Sequence, residues 1–82
     1  MVPYKDYLIR GKAVRVNPNS PDGWRSHGDV FVNSSKGSIH IKHLEGGIFE
    51  SKKAAEAHGL ELCKQWVDEN LEASDHVKRD GR

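Results

Sequence analysis

Histidine and cysteine are the side chains of this sequence that could bind a metal ion or act as a nucleophile. The chain has five histidines and one cysteine, Cys63. His40 and His43 are three residues apart on a predicted strand, where side chains alternate between the two faces, so we expect them to point to opposite sides. His58 and Cys63 are five residues apart on a predicted helix, about 140° around its axis. Neither pair has the spacing of zinc ligands, so the sequence predicts no metal site.

Nucleophilic catalysis is not predicted either. Cys63 lies on an apolar stripe of the predicted helix, where a cysteine usually behaves as an inert small hydrophobic residue. A reactive thiol needs an exposed, electropositive setting with a base nearby. The chain has no Gly-x-Ser-x-Gly, and Gly46-Gly47 is not followed by the Lys-Ser/Thr of a phosphate-binding loop. We therefore expect a non-enzymatic protein with no catalytic residue, no cofactor and no small-molecule substrate.

The charges are distributed unevenly along the chain. Residues 1–49 carry seven basic and four acidic side chains, and residues 50–82 carry six and eight, which gives the overall net charge of +1. The predicted strands fall in the basic half. Basic side chains beside an aromatic ring can contact phosphates and stack on a base. The residues with the parity of the sheet face that a helix would leave open are Arg25, His27, Phe31, His40 and Lys42. They form a candidate nucleic-acid-binding surface.

Other interpretations of these charges stay open. The predicted register places Asp29 opposite Lys42 as an ordinary exposed pair, and the solvated face of an antiparallel sheet is polar in any case. The pI of 7.9 is below the value of about 9 that is common in dedicated nucleic-acid domains. The alternative is a protein-interaction or homodimer module. Its surface would be the helix flank Leu60, Val67 and Leu71, whose 7 and 4 spacing is typical of helix pairing, unless that flank packs inside the domain.

The N-terminal half favours strands. Tyr4 to Val16 predicts one long bent strand or two short ones. Tyr7 and Ile9 share a face, whereas Val14 and Val16 have the opposite parity, so we expect a β-bulge at Gly11. The turn-forming residues 17–23 predict a loop. Further strands are predicted from Trp24 to about Val32 and over Ser38–Leu44. A turn at 45–47 and a short extended segment at 48–49 follow.

The second and third predicted strands form a hairpin whose register follows from their apolar faces. Valines and isoleucines alternate on both strands, and cross-strand partners point to the same face. Matching these faces predicts the pairs Val32–Ile39 and Val30–Ile41, and on the other face Phe31–His40 and Asp29–Lys42. A slip by one residue would place valines opposite polar residues.

One long helix is predicted from Lys52 to about Leu71, with Ser51 as its N-cap. Its apolar stripe includes Gly59, which predicts a close approach to the sheet. The fold class is therefore α+β, with two layers: an antiparallel meander of three to four strands packed against one long C-terminal helix. We expect residues 1–72 to form a single domain and 73–82 a disordered polar tail. The predicted core is Tyr7, Ile9, Val14, Val16, Trp24, Val30, Val32, Ile39, Ile41, Ile48, Ala55, Leu62, Cys63 and Trp66.

The composition limits the cellular setting. The chain has 82 residues, which suffices for one domain, and 30% of them are charged. No run approaches the ~18 apolar residues of a membrane helix, and the N-terminus lacks the apolar segment of a signal peptide. One cysteine cannot form an internal disulfide. We expect a soluble, cytoplasmic protein that does not contact membranes.

Two resemblances concern the strand-to-helix junction and the helix. The segment Gly47-Ile48-Phe49-Glu50-Ser51 followed by Ala54-Ala55 resembles the junction in plant ethylene-response-factor domains and in the arm-site-binding domains of phage-type integrases. The resemblance implies a three-stranded sheet that inserts into the DNA major groove. The pattern Phe49, Ser51, Ala55, Trp66, Val67 and Asp68 is similar to that of small uncharacterised proteobacterial proteins, some prophage-associated. It implies the same fold and, with the first, a regulatory module related to phages.

Overall fold

The structure of the protein is a computed structural model. It describes the backbone of residues 1–20 and 22–80, and the side chains of those residues up to 70. The predicted α+β fold is confirmed: a four-stranded antiparallel sheet in the order β1-β2-β3-β4 packs against one C-terminal helix. The elements are β1 Val2–Tyr4, β2 Tyr7–Arg15, β3 Trp24–Ser34, β4 Gly37–Phe49 and α1 Lys52–Asp80.

The first predicted strand region divides into two strands. β1 and β2 form a tight hairpin in which Tyr4 pairs with Tyr7. Lys5, in the turn, adopts a left-handed φ of 54°, which a two-residue antiparallel turn commonly requires. The Tyr4 hydroxyl donates a hydrogen bond of 2.9 Å to Asp68, so the short edge strand is fastened to the helix.

The β-bulge predicted at Gly11 is wrong. β2 pairs with β3 without interruption from Leu8–Phe31 to Arg15–Trp24. Gly11 is required for another reason: a Cβ at this position would collide with the carbonyl oxygen of Glu56 in the helix. Because β2 stays in register, Val14 lies on the face that the helix does not cover.

A bulge occurs instead between β3 and β4. The predicted pairs Val32–Ile39 and Phe31–His40 are confirmed. The register then shifts between Val30 and Phe31, so that Val30 pairs with Lys42, and Asp29 pairs with His43. The predicted pairs Val30–Ile41 and Asp29–Lys42 are therefore wrong, because Ile41 is the extra residue of the bulge. The predicted turn at 45–47 lies inside β4, beside a second irregularity.

Glycines allow the helix to lie close to the sheet. The close approach predicted for Gly59 is confirmed, since a Cβ there would collide with the carbonyl oxygen of His27. A Cβ on Gly28 would stand 2.6 Å from the Gly59 carbonyl oxygen and 2.7 Å from Cys63 Sγ. The predicted N-cap is also confirmed, because Ser51 Oγ accepts a hydrogen bond of 3.1 Å from the Ala54 amide.

The core is smaller than predicted. Its fully buried hydrophobic residues are Ile9, Val30, Ala55, Cys63 and Val67. The predicted core residues that are partly buried are Tyr7, Trp24, Val32, Leu62 and Trp66. Five predicted members are exposed: Val14, Val16, Ile39, Ile41 and Ile48. The unbroken β2 and the bulge of β4 change the parity of some of these positions, and others lie on sheet that the described helix does not cover.

Two further predictions concern the end of the chain and the membrane. α1 continues to Asp80, beyond the end predicted at about Leu71. The structure describes no side chains after residue 70 and no backbone at 81–82, so the disorder predicted for 73–82 stays a prediction. Among the described residues, no helix combines the length and the apolar character needed to cross a membrane.

Candidate functional site on the outer face of the sheet

The sheet has one face against the helix and one without a helical cover, which we call the outer face. Ser26, Gly28 and Val30 of β3 face the helix: Ser26 Oγ donates a hydrogen bond of 2.7 Å to the Ala55 carbonyl, and Val30 belongs to the core. The alternate residues of β3 and their strand partners form the outer face. Its members include Leu8, Arg10, Lys12, Val14, Arg25, His27, Asp29, Phe31, His40, His43, Glu45 and Ile48.

Asp29 is the centre of this face. Only 6% of its surface is exposed. Arg10 donates a hydrogen bond of 3.1 Å to Oδ2, and His40 Nε2 and His43 Nδ1 lie 2.9 Å and 2.8 Å from Oδ1. Burial alone would raise the pKa of Asp29, but the hydrogen bonds from the two histidines and Arg10 outweigh it and hold the pKa far below its usual value. The carboxylate is therefore ionised.

The bulge at Ile41 brings both histidines of β4 to Asp29. Alternation along a regular strand would separate His40 from His43, but the extra residue between them restores the same parity. The prediction that these side chains point to opposite faces is therefore wrong. Their hydrogen bonds to a single carboxylate oxygen show that they share the outer face.

Aromatic rings lie against the side chains that hold Asp29. Phe31 lies between the Arg10 guanidinium, 5.5 Å from its ring centroid, and the His40 ring, 5.1 Å away in an edge-on arrangement. On the other side His27 Nδ1 is 3.1 Å from His43 Nε2, and their ring centroids are 5.1 Å apart. The outer face therefore combines cationic groups with flat ring surfaces.

The structure places four of the five predicted nucleic-acid residues together. Arg25, His27, Phe31 and His40 all lie on the outer face. Lys42 does not, because it pairs with Val30 and so has the parity of the helix-covered face, where it is exposed. Its predicted place on the outer face is wrong for the same reason as the pair Asp29–Lys42.

Sequence reasoning did not assign Arg10, Lys12 or His43 to this face. In a regular β2, alternation from Leu8 places Arg10 and Lys12 on one face, so the sequence does contain a signal for these two residues. His43 carried no such signal, because its parity depends on the bulge at Ile41.

The helix flank proposed for protein interaction is mostly internal. Val67 is fully buried, and Leu60 packs against the same core. The side chain of Leu71 lies outside the described residues. Of the two interpretations of this stripe, packing inside the domain is the one that the described residues show.

The cysteine is not set up as a nucleophile. Cys63 belongs to α1 and is buried against the sheet, with Sγ 3.5 Å from the Asp29 carbonyl oxygen. Burial raises the pKa of the thiol, whereas an active thiol needs its pKa lowered.

Two side-chain groups on the described part of the chain bring possible metal ligands together. One is Asp29, His40 and His43, and the other is His27, His43 and Glu45. His43 belongs to both, with Nδ1 toward Asp29 and Nε2 toward His27.

Comparisons of the chain with protein-family models, with curated proteins and with solved structures found no match.

Proposed function

We propose that the protein binds nucleic acid through the outer face of its sheet. The observation that supports this most is the presence of three cationic side chains, Arg10, Lys12 and Arg25, on two neighbouring strands of a face that the helix leaves open. Contacts of arginine and lysine with phosphates supply most of the affinity in non-specific nucleic-acid binding.

The acidic groups reduce this charge without dominating it. The outer face has two carboxylates, Asp29 and Glu45. Asp29 is buried beneath its three donors, so a phosphate approaching the face meets Arg10 and the histidine rings first. Arg10 keeps half of its side chain exposed while it is held by Asp29. Lys12 has no ion-pair partner among the described residues.

Phe31 supplies the second element of the proposed site. It is half-buried and is flanked by Arg10 and His40. A base stacked on an aromatic ring contributes about 1–3 kcal/mol and needs no particular sequence. We therefore expect weak binding, dominated by phosphate contacts and with little sequence preference. The resemblance to sheet-based DNA-binding domains supports the same use of the sheet, in a regulatory module of the phage-related type.

Fluorescence anisotropy with a labelled short DNA duplex tests the proposal. Three phosphate contacts predict a loss of affinity of about 40-fold between 50 and 200 mM salt, from a slope of about 0.9 per contact. The matched variants are Lys12→Glu and Lys42→Glu, which change the net charge equally on opposite faces. Lys12→Glu should weaken binding by about tenfold or more, and Lys42→Glu should have a much smaller effect.

Several results would contradict this function. Absence of binding at 50 mM salt is the first. Equal effects of Lys12→Glu and Lys42→Glu would show a response to net charge and not to the outer face. Binding that survives the double substitution Lys12→Glu with Arg25→Glu would place the site elsewhere. A parallel titration with a single strand of the same sequence tests the stacking role of Phe31, because Phe31→Ala should affect the single strand more.

A further inference from the structure

We propose that Asp29, His40 and His43 form a binding site for a transition-metal dication of the zinc class. This inference is independent of nucleic-acid binding. Two imidazole nitrogens and one carboxylate oxygen converge at this point of the outer face, and the three ligand atoms lie within 4.8 Å of one another. Imidazole selects zinc, copper, nickel or cobalt over magnesium and calcium, which prefer oxygen ligands.

Both distances from a histidine nitrogen to the carboxylate oxygen are close to those of a zinc site. His40 Nε2 and His43 Nδ1 lie 2.9 Å and 2.8 Å from the same oxygen of Asp29. In a tetrahedral zinc site with bonds of 2.0–2.1 Å, ligand atoms are about 3.3 Å apart. To reach this spacing from Oδ1, each ring nitrogen would move by roughly half an ångström. The two ring nitrogens lie within 4.8 Å of each other, and the two half-exposed histidines, at 47% and 45%, have room to adjust.

The groups behind the ligands are already in place. Arg10 holds the other oxygen of Asp29 at 3.1 Å, which leaves Oδ1 to face the ion. His43 would bind through Nδ1 and carry its proton on Nε2, from which it donates to His27 Nδ1, 3.1 Å away. Metal-binding histidines usually donate their second ring nitrogen in this way, and such outer contacts fix the tautomer and the ring orientation.

Three protein ligands leave one position of a tetrahedral ion open. Both histidines face solvent, so water or an anion would occupy that position. Asp29 is the buried ligand, held from behind by Arg10. The two ring nitrogens that point at Oδ1 would each have to bind the ion without a proton.

The competing group is His27, His43 and Glu45, which uses the other nitrogen of His43. Its glutamate oxygen is 4.0 Å from His43 Nε2 and belongs to a side chain that is 59% exposed. Asp29 accepts hydrogen bonds from three side chains, whereas Glu45 has only the 4.0 Å contact with His43 among the ion pairs of the described residues. The geometry therefore favours the group around Asp29.

Isothermal titration of the full chain with zinc chloride tests the site. We expect one zinc ion per chain. His40→Gln and His43→Gln should each weaken binding by more than about 100-fold, because loss of an outer contact alone commonly costs 10- to 100-fold. His27→Gln should weaken it by about tenfold, and Glu45→Gln is the matched control that should leave it nearly unchanged.

A second readout uses Co²⁺, whose visible absorption reports its coordination. The wild-type complex should show the intense bands of a four-coordinate ion, and His40→Gln should lose them. Because both histidines are half-exposed, their variants should keep the circular dichroism of the wild type, which separates loss of a ligand from loss of fold. The proposal is overturned if zinc fails to bind at 100 µM, or if binding is insensitive to His40→Gln. It is also overturned if Glu45→Gln abolishes binding while Asp29→Asn does not.

Discussion

Replacing Gly59 by alanine tests how the helix packs on the sheet. In an isolated helix this change stabilises by about 1 kcal/mol. Here the new Cβ would overlap the His27 carbonyl oxygen and lie 3.1 Å from the Cα of Gly11. Both neighbours are backbone atoms of central strands and cannot rotate away, so the helix must move off the core.

The magnitude follows from these opposing effects. Overpacking typically costs 1–3 kcal/mol and sometimes more, and rigid backbone neighbours place this site at the upper end. After subtracting the helix-propensity gain of about 1 kcal/mol, we expect Gly59→Ala to destabilise the protein by about 2 kcal/mol or more. That is a large fraction of the roughly 4–12 kcal/mol expected for 82 residues.

Urea unfolding followed by tryptophan fluorescence measures the effect. The matched control is Gly47→Ala, because nothing lies within 4 Å of a Cβ at Gly47 and its φ is outside the left-handed region. The control should stay within about 0.5 kcal/mol of the wild type. If Gly59→Ala is as stable as the wild type, or more stable, the close approach of helix and sheet is refuted.

Three further predictions concern single side chains. Cys63 should react with a thiol reagent at about pH 8 only at the rate of unfolding, because burial raises its pKa and hides it; rapid reaction of the native protein would contradict the packing. The hydrogen bond from Lys5 lowers the pKa of Asp68 below its ordinary 3.8, so its contribution to stability is complete above that pH and is lost as the pH falls through the lowered value. Urea titrations should therefore show the wild type losing its advantage over Asp68→Asn in acid. Ser26→Ala should cost about 1 kcal/mol, since its buried hydroxyl donates to the Ala55 carbonyl; an unchanged urea midpoint would contradict that contact.

Local signals predicted much of the fold. Ser51 was identified as the N-cap because its side chain suits the start of a helix, and the structure shows that hydrogen bond. The pair Val32–Ile39 followed from matching apolar faces near the turn, where the register is fixed by short-range geometry. These two signals, together with the apolar stripe around Gly59, were enough to predict the α+β architecture.

The positions that sequence reasoning misplaced depend on contacts between elements. A single extra residue at Ile41 reverses the parity of the residues that follow it in β4, and strand alternation cannot show where such a residue lies. Gly11 suggests a bulge because glycine is common in bulges. The structure shows instead that the backbone of the helix leaves no room for a Cβ at this position. Its role is visible only once the helix and sheet are packed together.

The cluster around Asp29 illustrates why the candidate site was harder to predict than the fold. The sequence predicts that Asp29 faces a lysine as a solvated pair and that His43 lies on the other face of the sheet. The bulge exchanges that lysine for His43, and the carboxylate becomes buried beneath an arginine and two imidazoles.

The two proposals depend on different groups of this cluster. Phosphate binding depends on the cations around Asp29, whereas metal binding depends on its oxygen Oδ1. Lys12→Glu therefore bears on nucleic acid and leaves all three proposed metal ligands in place, so failure of one proposal does not decide the other.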